Sequence, residues 1–233
     1  MKLALMQPYF FPYLGYFDLI FQSDLWIVFD TVQYIRRGWI NRNRVLHSRQ
    51  GWQYIIAPVK KHARTTRIQD IRIADTQPWR EKIFGQLGHY KRSAPFYKEV
   101  TALIASCLAS PEASLARLNV RCLQKVCHYI DIPFEYRFLS EMGLELGPIS
   151  APDEWALRLA EALHATTYIN PPGGEGLYSS QKFEASGIKL IIRHLPPLEY
   201  ECPGYTFIPN LSIIDVLMWN EPARVRLHLE RYR

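Results

Sequence analysis

The densest group of chemically capable residues in this 233-residue chain is Arg36-Arg37-Gly38-Trp39-Ile40-Asn41-Arg42-Asn43-Arg44. Four guanidinium groups so close in sequence repel one another unless an anion neutralises them, and the planar guanidinium fork suits two-point contact with phosphate or carboxylate. If the backbone is extended from Trp39, then Trp39, Asn41 and Asn43 face one way and Ile40, Arg42 and Arg44 the other. Arg36, Arg37, Arg42 and Arg44 are therefore candidate phosphate ligands, with Asn41 and Asn43 orienting polar groups of the same guest. The competing reading is a set of exposed arginines paired with the chain's own acids.

Three further groups have comparable potential. Gln7-Pro8-Tyr9-Phe10-Phe11-Pro12-Tyr13-Leu14-Gly15-Tyr16 is a proline-stiffened turn in which Gln7, Tyr9 and Tyr13 offer an amide and flat rings to a base or sugar. Asn170-Pro171-Pro172-Gly173-Gly174-Glu175-Gly176-Leu177-Tyr178 lies between a strand-like and a helix-like run. Asn170, Gly173, Gly174 and Tyr178 are its candidate contacts, because glycines there expose backbone N–H groups to an anion. In Asn210-Leu211-Ser212-Ile213-Ile214-Asp215, Ser212 is either a helix cap or a ligand contact, and Asp215 is an acid in an apolar helix that needs a partner. Asp30 and Gln33 follow the second apolar strand, and His89, a histidine of the basic region, could accept a proton. Asp30, His89 and Asp215 are thus the candidate catalytic groups, with a structural histidine as the plainer reading of His89. No G-x-S-x-G, H-E-x-x-H or Walker motif occurs, so no metal ligands are assigned.

The elements that would position these groups read as an α/β chain. Apolar runs at 2–6 and 25–29 flank a short helix at 13–22, giving a compact parallel β-α-β unit, in which ligands bind beyond the carboxyl ends of the strands. That places 7–13 and 30–33 at one rim. Strands are expected at 53–59 and 68–73, then three helices at 78–92, 96–108 and 114–129, so that 78–130 reads as a helical insertion or subdomain in one domain spanning 1–233. A strand at 135–139 and a link at 143–152 lead to a second β-α-β rhythm: helix 153–164, strand 166–170, helix 179–186 and strand 188–193. An apolar helix at 211–220 and a polar helix from Glu221 close the chain.

Composition narrows the class. At 48% hydrophobic and 21% charged the chain can bury a core, and no apolar run is long enough for a membrane span, so a cytoplasmic protein is expected. Its four cysteines form no C-x-x-C pair, which favours reduced structural thiols. The net charge of +6 is uneven. Residues 31–92 hold fourteen Lys or Arg against three acids and carry +11, leaving −5 for the remainder. Such a split favours an anionic partner.

Taken together, M-Q-P-Y-F-F-P-Y-L-G-Y-F at 6–17, F-D-T-V-Q-Y-I-R-R-G-W-I-N-R-N-R at 29–44, T-Y-I-N-P-P-G-G-E-G-L-Y at 167–178 and P-N-L-S-I-I-D-V-L at 209–217 resemble the WbqC-like family of bacterial proteins. Many members have Ser-Gly where this chain has Asn170-Pro171. The resemblance implies a role in synthesis of O-antigen, the lipopolysaccharide side chain, or of other surface polysaccharides. It implies a substrate that is a nucleotide-linked or lipid-linked sugar, often an amino sugar. The opening strand, loop and helix are also similar to nucleotidylyltransferase-type enzymes, with Tyr13-Leu14-Gly15-Tyr16 in place of their H-x-G-H.

The expected activity is an amide-forming transferase or ligase acting on an amino sugar with an acyl or aminoacyl donor. ATP with Mg²⁺ enters only if an acyl adenylate is used, and no other cofactor is assigned. A non-catalytic nucleotide-sugar-binding subunit that assists a transferase is the first alternative. A nucleic-acid-binding protein, suggested by the basic stretch with Trp39, Trp52 and Tyr54, is the second.

Overall fold

The computed structural model describes residues 1–109 and 111–232. Along the chain run β1 (Lys2–Met6), α1 (Leu14–Gln22), β2 (Leu25–Val28), β3 (Arg42–Leu46), β4 (Trp52–Ile56), α2 (Trp79–Leu87), α3 (Tyr97–Leu108), α4 (Leu115–Tyr129) and β5 (Tyr136–Phe138). They continue as α5 (Glu154–Ala162), β6 (Thr167–Asn170), α6 (Ser180–Ala185), β7 (Lys189–Ile192), α7 (Ile213–Trp219) and α8 (Pro222–Arg231). Two compact units share them. One comprises Met1–Gln7, Gly15–Phe29 and Pro133–Pro196, and the other Pro8–Leu14, Asp30–Ile132 and Pro197–Arg233.

The first unit is α/β. Its five strands lie in the order β5-β2-β1-β6-β7, and every neighbouring pair is parallel. Strands buried on both faces need apolar residues at every position rather than at alternate ones, which explains the uninterrupted runs at Leu3 to Leu5 and Trp26 to Val28. Leu3, Leu5, Ile27 and Tyr168 pack against Ala156, Leu159 and Ala160 of α5 and Phe183 of α6. Trp26 alternates with Ile27 and meets Tyr16 of α1 edge-on, with ring centroids 5.1 Å apart. Helices thus flank the sheet. The Arg193 guanidinium donates to both oxygens of buried Asp18, at 2.7 and 3.0 Å, and ties the end of β7 to α1.

The second unit holds an antiparallel hairpin, β3–β4, and most of the helices. In α3 and α4 apolar residues recur at steps of three or four, and Val100, Ile104, Leu115, Leu118, Cys122 and Val126 are buried. Ser114 caps α4 by accepting from the Arg117 N–H. The helical stretch at 78–130 belongs to this larger unit, which also takes the hairpin, Pro8–Leu14 and the C-terminal helices.

One expected strand is absent. Residues 68–73 form a single 3-10 turn at Ile68–Asp70 followed by isolated bridges. Ile68, Ile71 and Ile73 are buried as their β-branched side chains suggest. Their backbone N–H groups, however, bond to Val32 O, Ile68 O and Ala113 O, three separate segments, so no continuous ladder forms.

Candidate functional site

The arginine cluster lies in the second unit, and the chain there is not extended from Trp39. Arg37 adopts φ 61° and residues 36–41 turn, so the strand begins only at Arg42. The expected alternation therefore holds from Arg42 onward but fails for Trp39, which joins the arginines. β3 pairs with β4 so that Arg42 faces Ile56, Arg44 faces Tyr54 and Leu46 faces Trp52, while Asn43, Val45 and Ile55 occupy the opposite, buried side. The Arg42 guanidinium sits 4.0 Å from the Tyr54 ring centroid, and that of Arg44 sits 5.2 Å from Trp39 and 5.3 Å from Trp52. Trp52 and Tyr54 meet edge-on at 4.9 Å.

The fixed partners of these arginines are carbonyls. Arg42 donates to Gly38 O and Arg37 O, Arg44 to Asn210 O and Arg36 to His62 O. Among the described residues no carboxylate forms an ion pair with any of the four. Positive charge and open rings therefore share one face. Arg36 and Arg37 are exposed beside it, and Asn41 is half-buried, donating to Ala57 O at 3.0 Å.

Other expected ligand contacts are turned inward. The Asn43 amide is buried and donates to Phe10 O and Phe11 O at 3.2 and 3.0 Å, and the Ser212 hydroxyl donates to Phe11 O at 2.7 Å. Ser212 also accepts from the Ile214 N–H, so its helix-cap reading holds. Phe11 carries φ 41°, a left-handed backbone costly for an aromatic residue, and these two donors hold its carbonyl. Asn119 donates from one amide to Pro8 O and Ile40 O at 2.8 and 2.7 Å. The Pro8–Leu14 turn is thus bolted to the second unit by three buried polar side chains, of which Asn119 had no motif to announce it. Tyr9 is half-buried with its hydroxyl pushed up by desolvation, Tyr13 bridges to Ser212, and Gln33 is exposed and bridges to Arg67.

Asp215 is also closed off. Tyr90 and Tyr200 donate to its two oxygens, the latter at 2.7 Å, and the Leu46 N–H donates to the Tyr90 hydroxyl at 2.9 Å. Burial raises the carboxyl above its usual range against the opposing pull of these donors. The partner that an acid in an apolar helix requires is therefore a pair of phenols from the protein itself. Asp30 is buried, and its backbone carbonyl accepts from Gln69 N–H.

His89 differs from both acids. Its Nδ1 lies 2.9 Å from Gln86 O, and a carbonyl only accepts, so Nδ1 carries the proton and the neutral ring keeps its lone pair on Nε2. Nε2 is buried without a hydrogen-bond partner, and desolvation lowers the ring's pKa. The ring stacks near Tyr90 at 4.2 Å and contacts Tyr205 at 5.4 Å. Tyr205 in turn lines a hollow of ≈ 560 Å³ together with Leu46, Arg49, Gln50, Thr206 and Ile208.

In the first unit, strand order runs outward in both directions from β1, so consecutive crossovers diverge between β1 and β6. Open parallel sheets take ligands at the carboxyl ends of the strands beside such a divergence. Gln7 follows β1 there, and Asn170 ends β6. Asn170 Oδ1 accepts from Tyr168 and Tyr178 hydroxyls at 3.2 and 3.4 Å. A Cβ at Gly174 would collide with the Asn170 amide and the Tyr178 ring, so any larger residue would have to displace them, whereas Gly173 and Gly176 have open space around them.

The WbqC-like protein family matches residues 7–227. "Uncharacterized protein Rv1507c" of Mycobacterium tuberculosis (strain ATCC 25618 / H37Rv) is 28% identical over 225 residues, covering 93% of this chain and 92% of that protein. No solved structure matches. The family match takes in the bolted turn, the arginine hairpin, the Asn170 loop and the Ser212 helix alike, and with nearly the whole chain inside it the protein belongs to the WbqC-like protein family.

Proposed function

We propose that the protein is an enzyme of surface-polysaccharide assembly that joins an acyl or aminoacyl group to the amine of a nucleotide-linked sugar. The observation that carries this reading is the strand order β5-β2-β1-β6-β7, with Gln7 and the Asn170–Gly174 loop at its point of divergence. The nucleotide end of the substrate binds at that edge, where the open backbone at Gly173 faces no competing side chain. An RNA-borne, thioester or adenylate donor supplies the acyl carbon, and ATP with Mg²⁺ takes part only in the adenylate case.

In the transfer, the sugar nitrogen forms the new bond to the acyl carbon, the bond from that carbon to its carrier breaks, and the nitrogen gives up a proton. That proton leaves with the departing carrier or passes to solvent; His89 belongs to the second unit and its Nε2 is buried, so it is not assigned the transfer. Asp215 has both oxygens engaged by phenols and serves the scaffold.

The test is purified protein incubated with a UDP-linked amino sugar and each donor class in turn, with the amide read by mass spectrometry. Product is expected with one donor. Absence of both product and nucleotide-sugar binding overturns the reading. A non-catalytic nucleotide-sugar-binding role is the second reading. It is favoured by the sealing of Asp215 and by the burial of all four thiols, Cys202 being pushed up to about 12 by desolvation. Calorimetry showing nucleotide-sugar binding with every donor inert selects it.

A further inference from the structure

The β3–β4 hairpin combines three properties on one face that proteins seldom combine without a partner. Its apolar side chains are open: Trp39, Trp52 and Ile56 are 37%, 42% and 42% exposed, and Tyr54 is half-buried between them. Its charges are cationic only, since Arg42 and Arg44 form no ion pair with a carboxylate among the described residues. Its guanidinium groups are already seated against the rings, Arg42 over Tyr54 and Arg44 beside both indoles, so little side-chain freedom is lost when a guest arrives.

We propose that this face binds single-stranded nucleic acid, with bases stacking on Trp39, Trp52 and Tyr54 and phosphates neutralised by Arg42 and Arg44. Arg37, whose carbonyl holds Arg42, and Arg49, in the loop between the two strands, extend the positive track at either end. Base faces stack on aromatic rings whatever the sequence, and a guanidinium beside each ring meets the phosphate that follows each base.

Charge decides among ring-bearing guests. A neutral sugar chain presents hydroxyls and leaves the arginine charges uncompensated, whereas a nucleic-acid strand delivers one negative charge per ring. The surrounding stretch 31–92 carries +11, which adds long-range attraction for a polyanion. This inference does not rest on the proposed transfer reaction.

The experiment uses the full chain and fluorescence anisotropy with a labelled oligouridylate of about twelve nucleotides, within the span that such surfaces cover. UDP and hyaluronate serve as competitors. The oligonucleotide is expected to bind with a log–log salt slope of about −2 to −3, equivalent to three or four phosphates on a single strand. It should also quench tryptophan fluorescence. Trp52→Ala weakens binding about 5- to 100-fold, as loss of one stacked base predicts. Arg44→Gln reduces the salt slope by about 0.7. Circular dichroism confirms that both variants fold, as expected for substitutions on an open face.

Failure to bind the oligonucleotide overturns the proposal. So does equal affinity for UDP, which would mark a mononucleotide site, or equal affinity for hyaluronate, which would mark a general polyanion or acidic-glycan surface. Unchanged affinity in Trp52→Ala and Trp39→Ala overturns the assigned face. None of these outcomes bears on whether the amide is formed with a UDP-linked sugar.

Discussion

Two neighbouring stretches of the second unit, both aromatic and both candidate ligand surfaces by residue type, have been put to opposite uses. The turn Pro8–Leu14 is closed: Asn43, Asn119 and Ser212 direct their donors at its carbonyls, and Phe10 and Phe11 are buried. The hairpin face is open: Trp39 and Trp52 stand in solvent and the arginines meet only carbonyls and rings. Residue type is a poor guide to which use prevails, because Asn43 and Arg44 are adjacent and point to opposite sides. A buried amide is committed by the carbonyls around it, while a guanidinium over an exposed ring keeps most of its donors for a guest.

Substitutions can break this contrast. The largest effect is expected from Asn119→Ala, which leaves the buried carbonyls of Pro8 and Ile40 without a donor. Two such losses cost about 2 to 5 kcal/mol, and urea unfolding should show it. A change under 1 kcal/mol would mean that the turn is not held as described.

Asp215→Asn comes next, at about 2 kcal/mol, because an amide cannot accept from both Tyr90 and Tyr200. It also alters pH dependence. Burial raises the folded carboxyl above 3.8, so the protonated acid favours the folded state. That contribution is full below 3.8 and is lost as pH rises through the raised value. The stability of the natural protein relative to Asp215→Asn should therefore fall with rising pH over that window and then level off.

His89 has the opposite sign. Its depressed pKa means that the unfolded chain binds the proton more readily, so stability is lost as pH falls from 6.5 through the folded value. His89→Gln should remove that loss, read as a flatter unfolding midpoint across the same range. The smallest change is expected from Arg44→Ala on the open face. Its stability should stay within about 1 kcal/mol of the natural protein, mostly through lost contact with the two indoles. If it destabilises as much as Asn119→Ala, the open face is scaffold too.

The parallel sheet is readable because its strands appear as apolar runs: 2–6 is a strand at its expected bounds, and 25–29, 166–170 and 188–193 are strands with ends trimmed by a residue or two. The helices at 96–108 and 114–129 were readable from their spacing and from the cap at Ser114. Residues 68–73 misled because three isoleucines at buried positions look the same whether their N–H groups enter a ladder or scatter to three segments. Trp39 misled because the left-handed conformation at Arg37 has no signature in an arginine. The partners of Asp215 were hidden by distance along the chain: Tyr90 lies 125 residues away, and nothing local marks it. The candidate arginines were found from type alone, whereas their stacking on β4 needed the register.

The chain leaves and re-enters each unit repeatedly, and neither unit is a continuous stretch of sequence. During synthesis, therefore, a nascent chain of 130 residues possesses neither a finished sheet nor a finished helical layer: β5, β6 and β7 are still to come for one, and α7 with Asp215 and α8 for the other. Nor would a fragment cut at residue 30 or 132 carry away a self-sufficient half. Dissection of the two candidate surfaces has to proceed by point substitution in the intact polypeptide, since no clean severing of one unit from the other exists.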